Sequence, residues 1–279
     1  MQAREPRDLD GNGDGRGPVL AGSKPMNEGY GEDRAWTRVP RSKEEAQATY
    51  DRLSRWYDLL AAGSEGPHVE AGIRMLDVQE GERVLEIGFG TGRGLVALAR
   101  DAGTSGRVYG LDISSGMARE ARRRLEEAGV DDRVRLMLGD GARLPLAGGS
   151  IDAVFMSFTL ELFDTPRLQP VLNGCARVLR PDGRLCVVSL AKRGRGSATV
   201  RLYEWVHEMV PRWVDCRPIP VREVLERVGF EIVEIDRRSM WTLPVYVLLA
   251  RSADGAGTVT AAPKHADKRS RMEGDHDDE

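Results

Sequence analysis

The chain has 279 residues, 41% of them hydrophobic, and sets 41 Lys and Arg against 44 Asp and Glu, so its net charge of −3 excludes the chain-wide basic field that nucleic-acid coats depend on. That length can bury a sizeable core, while the longest apolar runs fall well short of the roughly 20 residues that cross a bilayer, which leaves a protein that is free or at most lies on a membrane surface. The start, MQAREPRDLDGNGDG, has no apolar stretch behind a basic residue, so it reads as neither signal nor transit peptide and the expected location is cytoplasmic.

Residues 1–43 mix eight basic and seven acidic side chains with seven glycines and four prolines, and no period of 2 or 3.6 survives, so a disordered tail is expected. Within it Asp8, Asp10, Asn12, Gly13 and Asp14 imitate the opening of a calcium-binding loop, but Val19 stands where the bidentate Glu belongs and Pro18 blocks the exiting helix. From residue 44 the pattern becomes regular, and a single domain is expected over 44–251. A helix is predicted from Lys43 to Leu60, then strands at Arg83–Gly88, Arg107–Asp112, Val134–Gly139, Ile151–Phe158 and Arg184–Leu190, with helices filling the gaps between them. Further helices are predicted at Ala198–Val210 and Val221–Arg227, the second stopping at Gly229, and two more strands at Glu231–Asp236 and Val245–Ala250. This alternation predicts an α/β fold: a doubly wound, mostly parallel sheet of seven strands. Residues 252–279 hold almost no large apolar side chain and end in an acidic run, so a second disordered tail is expected. Cys175, Cys186 and Cys216 form no CxxC pair, which fits idle thiols in a reducing compartment better than a disulfide or zinc framework.

The first strand, Val84-Leu85-Glu86-Ile87, breaks into Gly88-Phe89-Gly90-Thr91-Gly92 and runs into a helix from Gly94 to Arg100. Glycines at alternate positions let the chain turn tightly and bring backbone N–H groups at the helix start against a ligand. A dinucleotide loop asks for G-x-G-x-x-G at the strand end, and Arg93 stands where the third glycine belongs; Gly92-x-Gly94-x-x-Ala97 has the spacing but begins inside the predicted helix. Asp112 closes the second strand, where an acid accepts hydrogen bonds from ribose hydroxyls or caps the next helix. The third strand ends in Gly139-Asp140-Gly141-Ala142, a carboxylate placed to accept from an exocyclic amine. Polar sites at three successive strand ends on one sheet edge describe an elongated nucleoside ligand better than any one of them does alone.

The series VLEIGFGTG, YGLDIS, GDGARLP, IDAVFMSFTLELF and RVLRPDGRLCVVSL resembles class I S-adenosylmethionine-dependent methyltransferases of Rossmann-like fold over Val84 to Leu190. The flanks Tyr50 to Asp58 and Leu225 to Ala250 look most like the ubiquinone and menaquinone biosynthesis methyltransferase group. The resemblance implies S-adenosylmethionine as cofactor and 44–251 as the methyltransferase domain. It also implies that Glu86 and Gly88, Gly90 and Gly92 hold the methionine portion, Asp112 the ribose, and Asp140, Gly141 and Ala142 the adenine, with Ile113 and Met117 beside the base.

Methyl transfer from a sulfonium asks the protein mainly for proximity and orientation and requires no metal. A base is needed only where the acceptor loses a proton, and the sequence singles out no catalytic residue. Candidates are Glu161, Tyr57 and His207. The structural reading comes first for each: Glu161 as a cap of the following helix, Tyr57 as a seal over the cofactor and His207 as a packing residue. Leu202, Trp205, Val206, Met209 and Val210 share one helical face, continued by Trp213, which either packs on the sheet or forms a lid over an apolar acceptor. Leu160 and Glu161 stand where the quinone group usually carries a polar residue, and no Asn-Pro-Pro-Tyr-like element supports DNA methylation. The function expected is methyl transfer to a small or lipid-like acceptor such as a quinone or phospholipid, with a catalytically silent S-adenosylmethionine-binding regulator or scaffold as the alternative; acceptor-dependent release of S-adenosylhomocysteine separates the two.

Overall fold

The computed structural model describes residues 64–191, 218–241 and 243–252. Both predicted tails, the predicted helices at 43–60 and 198–210, the apolar stripe at 202–213, Tyr57, His207 and Cys216 lie outside the described residues.

A helix α1 at 64–76 precedes the sheet. There follow β1 (Arg83–Ile87), α2 (Arg93–Asp101), β2 (Arg107–Asp112), α3 (Ser115–Ala128), β3 (Val134–Leu138), β4 (Ile151–Ser157), α4 (Thr165–Val178), β5 (Leu179–Leu190), α5 (Val221–Arg227), β6 (Phe230–Met240) and β7 (Leu243–Ser252). The seven strands lie in the order β3-β2-β1-β4-β5-β7-β6. Pairings among β1 to β5 are parallel, and β7 runs antiparallel to both β5 and β6. The mostly parallel, doubly wound sheet expected from the alternation is therefore present. Because both faces are covered, its central strands read as near-continuous apolar runs. Leu85, Ile87, Val154, Met156, Leu185 and Val187 pack on one face with α4 and α5. Val84, Ala153, Phe155, Cys186 and Val188 pack on the other with α1, α2 and α3. The chain leaves β1 for β2 on one side, and β4 lies on the other, so β1 sits at the switch point where the carboxyl edge opens into a crevice.

Several sequence expectations change, β6 among them, which runs on to Met240 where the pattern ends it at Asp236. Residues 139–150, between β3 and β4, contain no helix; they run as turns, because Pro145 and the Gly148-Gly149 pair, the latter at φ 61°, do not continue one. The helix at 64–76 goes unread in the sequence, since Gly66 and Pro67 look like breakers, although a proline is tolerated in a first turn. Its Gly72 lies flush on the sheet: a Cβ there would stand 2.6 Å from Val188 and 2.8 Å from Phe155. Finally, β5 begins at Leu179 rather than Arg184, its pairing with β4 slipping between Ile151↔Leu179 and Ala153↔Arg184 so that Pro181, Asp182 and Gly183 fall in the irregular stretch. Cys175 and Cys186 are buried and unpaired with each other, and burial raises both thiols, that of Cys175 to about 12. Among the described residues no helix is long and apolar enough to cross a membrane.

Candidate active site

The site is built where β1 stops. Gly88, Gly90 and Gly92 all have positive φ, at 74°, 52° and 84°. Gly92 is the N-cap of α2 in left-handed conformation, and a Cβ on it would stand 2.8 Å from Ala121, so both backbone angle and space require glycine there. At Gly90 a Cβ would meet nothing within 4 Å, which leaves the loop open at its tip. The Gly88 N–H donates to the Leu111 carbonyl at 2.7 Å, lashing the loop's entry to β2.

Asp112, the last residue of β2, is tied into this loop. Its Oδ2 accepts the Gly90 N–H and its Oδ1 the Ser114 N–H, both at 2.9 Å. The helix-cap alternative belongs to Ser114, whose hydroxyl accepts the Met117 N–H at the start of α3. Ile113 is half-buried beside Asp112, while Met117 is 2% exposed and belongs to the core beneath.

Glu86 is the polar residue inside β1, only 4% exposed. Burial pushes its carboxyl well above the ordinary range, and the nearby Asp112 charge pushes the same way. Its Oε2 has no hydrogen-bond partner among the described residues. A Cβ on Gly94 would stand 2.3 Å from Glu86 Oε1, so the carboxyl lies against the first turn of α2. A buried acceptor without a donor, beside the open tip of a glycine loop, fits the ammonium group of an amino-acid moiety.

At the end of β3, Asp140 Oδ1 accepts the Ala142 N–H at 3.1 Å, and its other oxygen pairs with the Arg167 guanidinium from α4. Gly141 is flush against Phe163 and Ile87, 2.9 and 3.1 Å from where its Cβ would be. Glu86, Asp112 and Asp140 thus line successive strand ends of one edge, an acceptor-rich row suited to a ligand that donates from an amine, hydroxyls and an exocyclic amine in turn. The structure brings these sequence-predicted residues together with Gly88, Gly90, Gly92, Gly141 and Ala142.

Glu161 does not take the helix-cap role that the sequence offers for it. It sits in the 3-10 turn Leu160–Leu162 after β4, fully buried, and its Oε1 accepts the Leu190 N–H at the end of β5. Asp164, not Glu161, holds the N-cap position of α4. Burial raises the Glu161 carboxyl to about 7 despite opposing hydrogen bonds from its own N–H, Leu190 and Ser189. Its side chain clasps the β4 turn to β5.

Three side chains that the sequence does not single out also stand at this edge. Thr159 fills the space beside Gly88, its hydroxyl 2.3 Å from where a Cβ would lie. Phe158 adopts φ 48°, a left-handed backbone that an aromatic residue rarely takes outside functional turns. His68 of α1 is 6% exposed and meets Phe158 edge-to-face, ring centroids 6.3 Å apart. One imidazole in a short amphipathic stretch gives no sequence signal of its own.

Residues 84–183 match a family model described as a methyltransferase domain. The demethylmenaquinone methyltransferase of Clavibacter sepedonicus is 33% identical over 224 residues, covering 71% of this chain and 87% of that protein. Methyltransferase GfsG of Streptomyces halstedii is 36% identical over 135 residues, and there the match spans 46% of this chain and about half, 47%, of the relative. Among solved structures, a SAM dependent methyltransferase from Aquifex aeolicus superposes with a TM-score of 0.53 at 22% identity, over 72% of this chain and 97% of that one.

Proposed function

Since the chain belongs to the class I S-adenosylmethionine-dependent methyltransferases, with S-adenosylmethionine as its cofactor, we propose that it methylates a small, lipid-like acceptor of the quinol kind. The observation that supports this reading is the likeness to a demethylmenaquinone methyltransferase, which extends through 87% of that relative and 71% of this chain rather than through the cofactor half alone. The bound cofactor supplies the reactive methyl carbon as a sulfonium. In this reading the unpartnered Oε2 of Glu86 and the glycine loop receive the methionine portion, Asp112 the ribose, and Asp140, Gly141 and Ala142 the adenine, with Ile113 and Met117 bordering the base. The same reading gives the protein an orienting role: rigid strand ends fix the donor, and the edge over β4 and β5 is left for the acceptor. Glu161 shapes that edge by holding β5 to the β4 turn. The domain is taken to span 44–251.

Incubation of the full chain with methyl-labelled S-adenosylmethionine and demethylmenaquinol in detergent tests the acceptor assignment. Label in the extracted quinone supports it. No label there, with transfer to another acceptor class such as a phospholipid, replaces the quinol assignment while keeping the enzyme class.

A further inference from the structure

The glycine loop is held from beneath by one turn of α3. Ala121 and Arg124 stand three residues apart on that helix and so share a face. A Cβ on Gly92 would lie 2.8 Å from the Ala121 Cβ, so the loop rests on the helix there. Further along the same face, Arg124 Nη1 donates both to the Thr91 carbonyl at 3.1 Å and to the Thr91 hydroxyl at 2.9 Å. Thr91 is only 6% exposed, which shields both bonds from competing water. The Gly92 N–H, at the other pole of the same planar peptide, donates to the Phe89 carbonyl at 2.9 Å. The Thr91–Gly92 peptide is therefore pinned at both ends. Its plane decides how the first turn of α2 meets a ligand, because Gly92 is the left-handed N-cap of that helix and has no side-chain cap bond. Asp112 fixes Gly90 from the opposite flank, so three consecutive loop residues are each anchored from β2 or α3.

We propose that Arg124 is a positioning residue of the methyltransferase: by clamping Thr91 it holds the glycine loop in the shape that receives the amino-acid half of the cofactor. The inference rests on the reading of that loop as the seat of the methionine portion and adds to it a residue that acts through the loop backbone. A charged donor on a carbonyl makes the stronger kind of hydrogen bond, and a loop held in its binding shape spares the ligand the cost of ordering it. Of the three consecutive arginines Arg122 to Arg124, the first two are exposed and the third reaches the loop. Arg123 supplies the contrast, since it carries the same charge at the next position but pairs along the helix with Glu120 and Glu127.

The test compares two ligands by calorimetric titration into the full chain: S-adenosylhomocysteine, and 5′-methylthioadenosine, which keeps the adenosine and the thioether but lacks the amino-acid group. The wild-type chain is expected to bind S-adenosylhomocysteine at least about tenfold more tightly. Arg124→Ala should lose most of that preference while its affinity for 5′-methylthioadenosine stays within about twofold, whereas loosening of the whole fold would weaken both ligands. Arg124→Lys should keep the preference within about threefold of wild type, since one nitrogen makes both bonds to Thr91 and an ammonium can replace it. Arg123→Ala removes the same charge from the exposed neighbour and should leave the preference within about twofold. Thr91→Val, which deletes only the hydroxyl partner, should lower it about threefold and decides the matter where Arg124→Ala does not fold. An undiminished preference in Arg124→Ala or, failing its folding, in Thr91→Val, an equal loss of both ligands, or an Arg124→Lys chain no better than Arg124→Ala overturns the proposal. A wild-type chain that binds S-adenosylhomocysteine no more tightly than 5′-methylthioadenosine, or binds neither, would instead overturn the reading of the loop on which the proposal rests.

Discussion

Gly94→Ala is the sharpest perturbation of the cofactor edge, because two rules of opposite sign meet there. Gly94 is the second residue of α2, a helical position at which Gly→Ala ordinarily stabilises by about 1 kcal/mol. In this chain the added Cβ would stand 2.3 Å from Glu86 Oε1 and 2.9 Å from both Cδ and Oε2, more than about 1 Å short of ordinary contact at its closest. Glu86 is 4% exposed, so its carboxyl cannot swing into solvent and must press on packed neighbours. The expected cost outweighs the helix gain, giving a net loss of about 1–2 kcal/mol and, because the displaced carboxyl leaves its station, at least a tenfold loss of S-adenosylhomocysteine affinity, or about 1.4 kcal/mol. In a Glu86→Ala background the obstacle is gone, and the same Gly94→Ala change should stabilise by up to about 1 kcal/mol. The coupling between the two sites is then about 2–3 kcal/mol, at the upper end of values for residues in contact. Denaturant unfolding of the four proteins of the cycle measures it, with calorimetric titration of S-adenosylhomocysteine alongside. Additive effects within about 0.5 kcal/mol would refute the claim that Gly94 exists to seat Glu86.

Asp112→Ala removes the acceptor of both the Gly90 and Ser114 N–H groups, so it should lower unfolding stability by about 2 kcal/mol as well as weakening S-adenosylhomocysteine at least tenfold; calorimetry showing neither change contradicts the role given to Asp112. Glu161 holds its proton more tightly in the folded chain, at about 7 against an ordinary 4.5, so its contribution to stability is complete below about pH 4.5 and is lost as pH rises through 7. Relative to a Glu161→Gln variant, the wild-type chain should therefore lose on the order of 3 kcal/mol between pH 4.5 and 8, and pH-independent melting differences would show that the carboxyl is not buried as described. Glu86 shifts in the same direction, which is why the comparison is made against the Gln variant rather than read from the wild-type curve. A chain spanning residues 43–251 is expected to melt within about 2 °C of the full chain and to bind S-adenosylhomocysteine equally, since the removed segments hold little apolar surface to bury. A drop of 10 °C or more on truncation would show that the ends contribute to the folded core.

What the sequence discloses is what local pattern encodes. The run Val84-Leu85-Glu86-Ile87 followed by alternate glycines marks strand, turn and ligand loop because each property depends on neighbours in the chain. Asp112 and Asp140 are legible for the same reason: each ends an apolar strand. Residues whose meaning is set across the fold are not legible. Glu161 offers a base or a helix cap to a reader of the chain, and only the sheet reveals that its partner is Leu190 on the next strand. Asp140 gives no hint that Arg167, beyond β4 on α4, is its ion-pair partner. Pro67 hides the start of α1, because a proline that breaks most helices is tolerated in a first turn, and with the helix hidden His68 has no face to point from. Between β3 and β4 the regular alternation suggests a helix that Pro145, Gly148 and Gly149 do not permit.

Acceptor-dependent release of S-adenosylhomocysteine decides whether the chain transfers the methyl group of its cofactor. Purified full chain is incubated with S-adenosylmethionine alone, then with fractionated lipid and small-molecule extracts, and S-adenosylhomocysteine is quantified by mass spectrometry alongside a Glu86→Ala, Asp112→Ala control. Little release is expected without extract, with a stoichiometric rise in a lipid-soluble fraction containing hydroxylated rings and no rise in the control. Tight binding of S-adenosylmethionine with no release in any fraction would contradict methyl transfer and identify instead a protein that binds the cofactor without transferring its methyl group.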